Sequence, residues 1–248
     1  QKSFVDMFLD EARLASQIHQ RNVAQVHELG RDAKNLFLVM EYLEGENVAG
    51  LVRRTILAER GLDPAISAYL IAEACAGLHA AHELTDATGR SLELVHRDVS
   101  PQNLFVTYSG GVKVLDFGVA KALDRSSHTE PGQLKGKFEY MSPEQCRGRE
   151  VDRRSDVFSL GICLYEMVTR RRLFKRNTQL ASLEAVWGEP IVPPTKVASC
   201  PPELERIIMK ALEKSADARY GTAAEMRREL MAVVQSLHPA VLPEETLA

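Results

Sequence analysis

His96-Arg97-Asp98-Val99-Ser100-Pro101-Gln102-Asn103, followed across a short connection by Asp116-Phe117-Gly118, is the stretch on which the reading of this chain turns. Between the two lie a pair of short β-prone runs, Leu104–Thr107 and Val112–Leu115, joined by Tyr108-Ser109-Gly110-Gly111, a turn signal. A four-residue loop over 108–111 would pair Thr107 with Val112 and Leu104 with Leu115, leaving Asn103 opposite Asp116. Antiparallel partners lie about 5 Å apart at Cα, so an amide oxygen and a carboxylate would converge at the open end of the hairpin. These are hard oxygen donors of the kind that hold Mg²⁺, which takes one or two protein oxygens and completes its shell from phosphates and water. Taken singly, Asn103 and Asp116 read equally well as strand-end turn residues. Asp98, placed in the same run, makes the set harder to read as accident.

Outward from this centre the chain is mixed α/β in front and helical behind. Residues 4–18 show helical periodicity, with Phe4, Met7, Phe8, Leu14, Ala15 and Ile18 on one face. Glu11 falls on that same face, and a carboxylate on a buried stripe calls for a cationic partner, unless it sits at the solvent edge. Residues 36–43 read as a buried strand running into a polar stretch. Asp63-Pro64 is an N-cap followed by proline at the first helical position, opening an Ala-rich helix to about residue 83. That helix is apolar around most of its circumference and so is expected to be central. Residues 121–140 lack periodicity and read as a surface loop. Helices are expected again over 156–169, 203–214 and 222–237, the last opened by a capping box, Thr222-x-x-Glu225. The run after 237 reads as a tail or linker.

Bulk properties narrow the partners. Lys and Arg total 31 against 34 Asp and Glu, a net charge of −3, so no global field draws the chain to nucleic acid or a membrane. The basic run Arg170–Arg176, with Phe174 as its one aromatic, follows an apolar helix directly, which favours a solvated connection over a nucleic-acid patch. No apolar run reaches the roughly 18 residues needed to span a bilayer. The four cysteines have no short paired spacing, which points away from zinc or disulfide frameworks and towards a reducing, cytoplasmic setting.

The set H-R-D, N and D-F-G, in this order, resembles the signature of the protein kinases, and the chain as a whole resembles the bacterial Ser/Thr kinases of eukaryotic-like (Hanks) type over residues 4 to about 237. Other landmarks fall in sequence. Met141-Ser142-Pro143-Glu144 resembles the segment that ends the activation loop, Asp156-Val157-Phe158-Ser159 the start of a central helix, and Asp217-Ala218-Arg219 the late motif whose Arg pairs with Glu144. The resemblance implies an α+β, two-lobe fold: a partial N-lobe over 1–43, a mainly helical C-lobe over 44–237, and a tail over 238–248. It implies ATP and Mg as cofactors, a protein hydroxyl as substrate, Asp98 as catalytic base, and Asn103 and Asp116 as the metal-holding residues. Asp156 would anchor the backbone of the catalytic loop. Met40 would stand as gatekeeper, the backbones of Glu41 and Leu43 would meet the adenine edge, and Phe105 would lie against the base. From the residues alone, 40–43 is a strand end and Phe105 a core aromatic. Glu11 would pair with an ATP-binding Lys on a preceding strand. That strand and the Gly-rich loop are not found in 1–43, so the piece alone is expected to be weakly active and longer parent material is expected, with a C-terminal linker or membrane anchor left open.

Two departures bear on activity. Ser100 stands where the family usually carries a Lys that contacts the transferring phosphate, a lost cation that would weaken charge stabilisation. Lys137 stands where a Thr is usual, at a position that approaches the catalytic Asp, and is expected to supply the missing charge unless it simply faces solvent. Arg97 implies ordering of the activation loop by phosphorylation, with Ser126, Ser127 and Thr129 as acceptors. A pseudokinase or regulatory scaffold is the competing reading, supported by Ser100 and the missing Lys strand. A small-molecule phosphotransferase is disfavoured by the Ser142-Pro143-Glu144 segment, and Tyr specificity by the absence of an A-A-R catalytic-loop pattern. If Lys137 compensates for Ser100, Lys137→Ala in an active kinase cuts turnover at least about tenfold, and an unchanged rate disproves the compensation.

Overall fold

The computed structural model describes residues 12–32, 36–59, 61–117 and 138–238. Glu11, Gly118, Ser126, Ser127, Thr129 and Lys137 lie outside the described residues.

α3 (Pro64–His82) is the post around which the rest is built. Asp63 caps it by accepting from Ala65 N at 2.7 Å, and Pro64 takes the first turn, where a missing N–H costs nothing. Its alanines and single glycine let neighbours approach on nearly every side. It packs against α8 (Ala223–Leu237), α5 (Arg154–Thr169) and the strand β5 (Val112–Val114). The all-round apolar pattern thus places this helix at the centre, as anticipated.

Gly77 shows how close the approach is. A Cβ built there would meet the carbonyl oxygen of Asn22 at 2.5 Å and Val23 Cγ2 at 3.2 Å. Residues 22–24 are laced to β5 at the same place: Val114 N donates to Asn22 O (2.8 Å) and Ala24 N to Val114 O (2.9 Å). The buried Asn22 side chain donates to Glu73 on α3 (3.0 Å) and to Val112 O (2.9 Å). Glu73 in turn accepts from Arg21 (2.8 Å) and from Arg227 on α8 (3.1 Å). One carboxylate therefore joins the segment after the first helix, whose described part is α1 (12–16), to both the central and the last helix.

Two small antiparallel sheets are present among the described residues, one of them packed on the central helix through β5. β1 (Val26–Arg31) pairs with β2 (Leu36–Met40), and β3 (Gly45–Asn47), β4 (Leu104–Thr107) and β5 form a three-stranded sheet in that order. β2 is shorter than the expected 36–43 and is not buried on both faces: Phe37 and Val39 are 45% and 41% exposed. A two-stranded sheet covered on one side explains the alternation.

The hairpin register also differs from the expectation. Leu104 pairs with Val114, Phe105 with Lys113 and Val106 with Val112. The loop is one residue tighter because Thr107 N donates to Gly111 O (2.8 Å) while Gly110 takes a left-handed φ of 88° that suits glycine. The Thr107 hydroxyl reinforces the turn by accepting from Gly111 N at 2.8 Å. Asn103 therefore faces Leu115, whose N–H it accepts at 2.8 Å, and Asp116 lies one residue further on. A one-residue slip would have sent every side chain to the opposite face.

The helices behind follow the sequence closely, with three additions. α2 (Val48–Leu57) was not anticipated; Asn47 caps it, accepting from Gly50 N at 2.8 Å. α4 (Pro143–Cys146) carries a complete capping box between Ser142 and Gln145, and α6 (Gln179–Gly188) is a further unanticipated helix. α7 (Pro202–Ala211) ends earlier than the expected 214. At α8 the box is only half formed: Thr222 accepts from Glu225 N, but the Glu225 carboxylate turns to Gly221 N. Among the described residues no helix is long and apolar enough to cross a membrane.

Arg219, fully buried, closes the fold by gripping Glu144 through both guanidinium nitrogens, at 2.7 and 2.8 Å. Burial alone would push the Glu144 carboxyl up; Arg219 and the Ser155 hydroxyl outweigh it and hold the group at about 2. A depressed carboxylate contributes stability that is present above its ordinary value of 4.5 and is lost as pH falls through about 2. With allowance for partial solvent screening, the pair is expected to contribute about 2 kcal/mol at neutral pH. Arg219→Met should cost about 3 kcal/mol, the added part being the penalty of leaving Glu144 unpaired, and should flatten the acid limb of stability. Urea midpoints across that pH range read both effects; an unchanged acid limb would refute the assignment. At Gly77, alanine should reverse its usual helix benefit of about 1 kcal/mol and lower the melting temperature by several degrees, because the Asn22 carbonyl has nowhere to go.

Candidate active site

Asp156, at the start of α5, is 1% exposed, and its carboxylate is saturated by three donors. His96 N and Arg97 N each donate to it at 2.9 Å, and His82 Nε2 donates at 2.8 Å from the last turn of α3. Burial would raise this carboxyl, but the His82 contact and the His96 N–H outweigh it and keep it below its ordinary value. Held in this way, Arg97 adopts a left-handed φ of 65°, a conformation that costs an L residue energy unless its surroundings impose it. Gln145 of α4 adds a clamp from the other side, donating to Arg97 O at 3.0 Å.

The loop above Asp156 is ordered link by link. His96 Nε2 donates to Leu115 O (2.8 Å), so its other ring nitrogen is the acceptor for Asp98 N (3.2 Å). The His96 ring also packs on Phe117, centroids 4.6 Å apart. Asn103 N donates to Ser100 O at 2.9 Å, closing the loop into a turn. The Asn103 amide then donates to both Asp98 O (2.8 Å) and Asp98 Oδ2 (2.9 Å). Asp98 and Asn103 are therefore in direct contact, one orienting the other. With Nδ2 turned to Asp98, the oxygen of the Asn103 amide is its acceptor end.

Asp116 is exposed and sits at a φ of 55°, immediately after Leu115 has paired with Asn103. The cross-strand pairing expected of Asn103 and Asp116 does not form: Leu115 takes the place opposite Asn103, and Asp116 follows it in a left-handed conformation. Asp116 and Phe117 share a small cleft with Met40, Leu38, Val26 and Ala15. The structure accordingly brings Met40 to the same cavity as Asp116.

The segment following Met40 is held by Glu41. Its N–H donates to Gln25 O (2.9 Å), and its carboxylate accepts from Gln25 N (2.7 Å) and Lys113 Nζ (2.6 Å). Burial would raise this carboxyl, and Lys113 and Gln25 together lower it. Lys113 was missed at the sequence level, although the alternation Val112-Lys113-Val114 puts its side chain on the face opposite the core. Leu43 is half-buried, and Phe105 lies against Gly45 just beyond it, where a Cβ would meet the ring at 2.7 Å. Ser100 is fully buried. His82 and Gln145 were likewise missed; a histidine in a helix's last turn has no distinguishing pattern in one sequence.

Comparison with known proteins bears on the family and the fold. The family model described as the protein kinase domain matches residues 1–231. A chain named tyrosine-protein kinase MasK from Myxococcus xanthus is 45% identical over 221 residues, covering 89% of this chain and 34% of the relative. The serine/threonine-protein kinase PknB of Mycolicibacterium smegmatis is 34% identical over 244 residues, covering 96% and 37%. The chain thus spans about a third of the length of these curated relatives. Among solved structures, a mutant form of the kinase domain of Mycobacterium tuberculosis PknI superposes with a TM-score of 0.69 at 20% identity, over 94% of this chain and 79% of that one, a likeness of fold. A helical lobe built on α3 and α5, a catalytic loop hung from Asp156 and a family model matching nearly the whole length lead to one conclusion: this chain belongs to the protein kinase family, among the bacterial kinases of eukaryotic-like type.

Proposed function

We propose that this domain transfers the ATP γ-phosphoryl group to Ser or Thr hydroxyls of a protein substrate. The observation that carries the reading is the Asp98–Asn103 contact, in which an amide aims a half-exposed carboxylate while its own oxygen is directed elsewhere. In this reading Asp98 accepts the hydrogen bond, and then the proton, of the attacking hydroxyl. Asn103 keeps that carboxylate in one orientation and offers its amide oxygen to a metal. Asp116, exposed at the strand end, offers a second hard oxygen. Among the described residues no three His, Cys, Asp or Glu side chains form a preformed metal cage, which suits Mg²⁺ completed by phosphate oxygens and water. Bound Mg-ATP supplies the phosphoryl group and the neutralisation of its charge. Met40, the backbones of Glu41 and Leu43, and Phe105 are proposed to receive the adenine, with the Lys113–Glu41 pair fixing the segment that carries them. Glu11 and Lys137 keep the roles proposed from sequence.

A second reading concerns the acceptor. The 45% identical relative carries a tyrosine-kinase name, while several relatives at 33–35% carry serine/threonine names. The catalytic loop lacks the A-A-R pattern, which supports Ser/Thr. Phosphoamino-acid analysis of the products decides between them. Asp98→Asn should lower turnover by about a hundredfold or more while leaving Mg-ATP binding in place. Nucleotide binding with no phosphotransfer in the unaltered chain would establish the scaffold reading instead.

A further inference from the structure

A groove of about 270 Å³ lies between α2 and the C-terminal end of α5, beside the catalytic loop. Its floor is apolar, made by Val52, Pro101 and Met167. Its lip is formed by Ile56 and Leu57, adjacent residues 45% and 78% exposed at the end of α2. Single exposed apolar side chains are ordinary, but two together bordering a concave apolar floor mark a contact surface.

The rim has one sign of charge. Arg53 borders it from α2, and Arg170, Arg171 and Arg172 border it from the end of α5. Arg172 is committed: it donates to Glu139 at 2.8 Å, pairs with Glu166 at 3.3 Å and covers the Tyr140 ring. The carboxylate in the lining, Glu166, is buried and engaged by Arg172, the Tyr140 hydroxyl (2.8 Å) and Leu173 N (3.0 Å), so it offsets none of the outer charge. Arg53, Arg170 and Arg171 are exposed and have no ion-pair partner among the described residues. Arg170 is held at a φ of 56° where α5 ends, a left-handed position that ordinarily selects glycine. Its side chain is exposed at the helix end, where a cation also complements the helix dipole.

Position ties the groove to the chemistry. Pro101 is three residues from Asp98, a span of at most about 11 Å, and Pro101 O accepts from Ala49 N on α2 at 3.0 Å. A segment seated in the groove therefore lies within a few residues of the phosphate-accepting position. We infer that this groove docks an acidic, leucine-type segment of the protein substrate, its apolar side chains on the Val52–Met167 floor and its carboxylates on Arg53, Arg170 and Arg171. Charge complementarity selects this occupant, since the chain as a whole carries −3 while this face is basic.

The inference rests on the phosphotransfer reading for its placement, and binding can be read separately from turnover. The test titrates the full chain into a fluorescein-labelled peptide alternating Glu or Asp with Leu, and into its Lys-for-acid counterpart. The acidic peptide should bind more tightly, with affinity falling as salt rises. Arg170→Gly combined with Arg171→Ser should weaken it about tenfold, as should Leu57→Ser, whereas Arg228→Ala, which removes a cation on α8 away from the groove, should not. Arg170→Gly suits the left-handed backbone, so loss of binding there is not loss of fold. In parallel, an acceptor peptide carrying the acidic segment should be phosphorylated with a lower KM than one without it. Equal binding of both peptides, or groove variants that bind normally, overturns the docking site. Phosphorylation indifferent to the segment also overturns it and leaves the kinase reading intact. Selective binding without phosphorylation leaves the docking site and removes the kinase reading. Concentration-dependent self-association abolished by the same variants, without peptide binding, assigns the groove to a second copy and overturns the substrate assignment.

Discussion

One carboxylate shielded from solvent sets the shape of the loop over 96–103. Asp156 is tolerated in the core because two backbone N–H groups and His82 surround it, and those contacts hold Arg97 in a conformation it would not choose alone. Replacing hydration by fixed donors carries an energetic cost that only a complete set offsets. The dependence runs both ways: the loop's geometry exists because the charge must be satisfied, and the charge survives because the loop supplies its amides. Asp98, two residues from His96, takes its direction from this arrangement and from Asn103.

The central helix and the two strands of the hairpin were legible from the sequence because each obeys a local rule. Asp63-Pro64 announces a helix start, all-round apolarity announces burial, and Tyr108–Gly111 announces a turn. The register was not legible. It depended on which of two adjacent glycines takes the left-handed conformation, and Gly110 and Gly111 look alike in a sequence. α2 escaped notice because its only start signal, Asn47, is buried in a run of polar residues that reads as loop. Phe37 and Val39 read as core because the strand pattern tells which residues are apolar and not how many layers cover them.

For the candidate site the division is similar. The acids and amides that touch one another, Asp98 and Asn103, stand out by type and spacing. The residues that position them do so across long separations: His82 is 74 residues from Asp156, and Lys113 is 72 from Glu41. No single-sequence pattern reports such pairings, because neither partner alone is unusual. The basic groove falls between these cases. Its arginines were visible as a run, but only the fold separates Arg172, spent on Glu166 and Glu139, from Arg170 and Arg171, which face outward.

Glu73 has a consequence for how the domain is made. Its carboxylate is nearly without solvent and draws on Arg21 near one end of the chain and Arg227 near the other, 154 residues from Glu73. During vectorial synthesis the ribosome delivers Arg21 and Glu73 long before Arg227. At about 5–20 residues per second the gap lasts on the order of ten seconds. Throughout that interval the central helix holds a charge only partly neutralised, next to apolar faces that α8 has yet to cover. α8 is therefore the last wall of the domain to arrive, and the faces of the central helix that it covers have no partner until then.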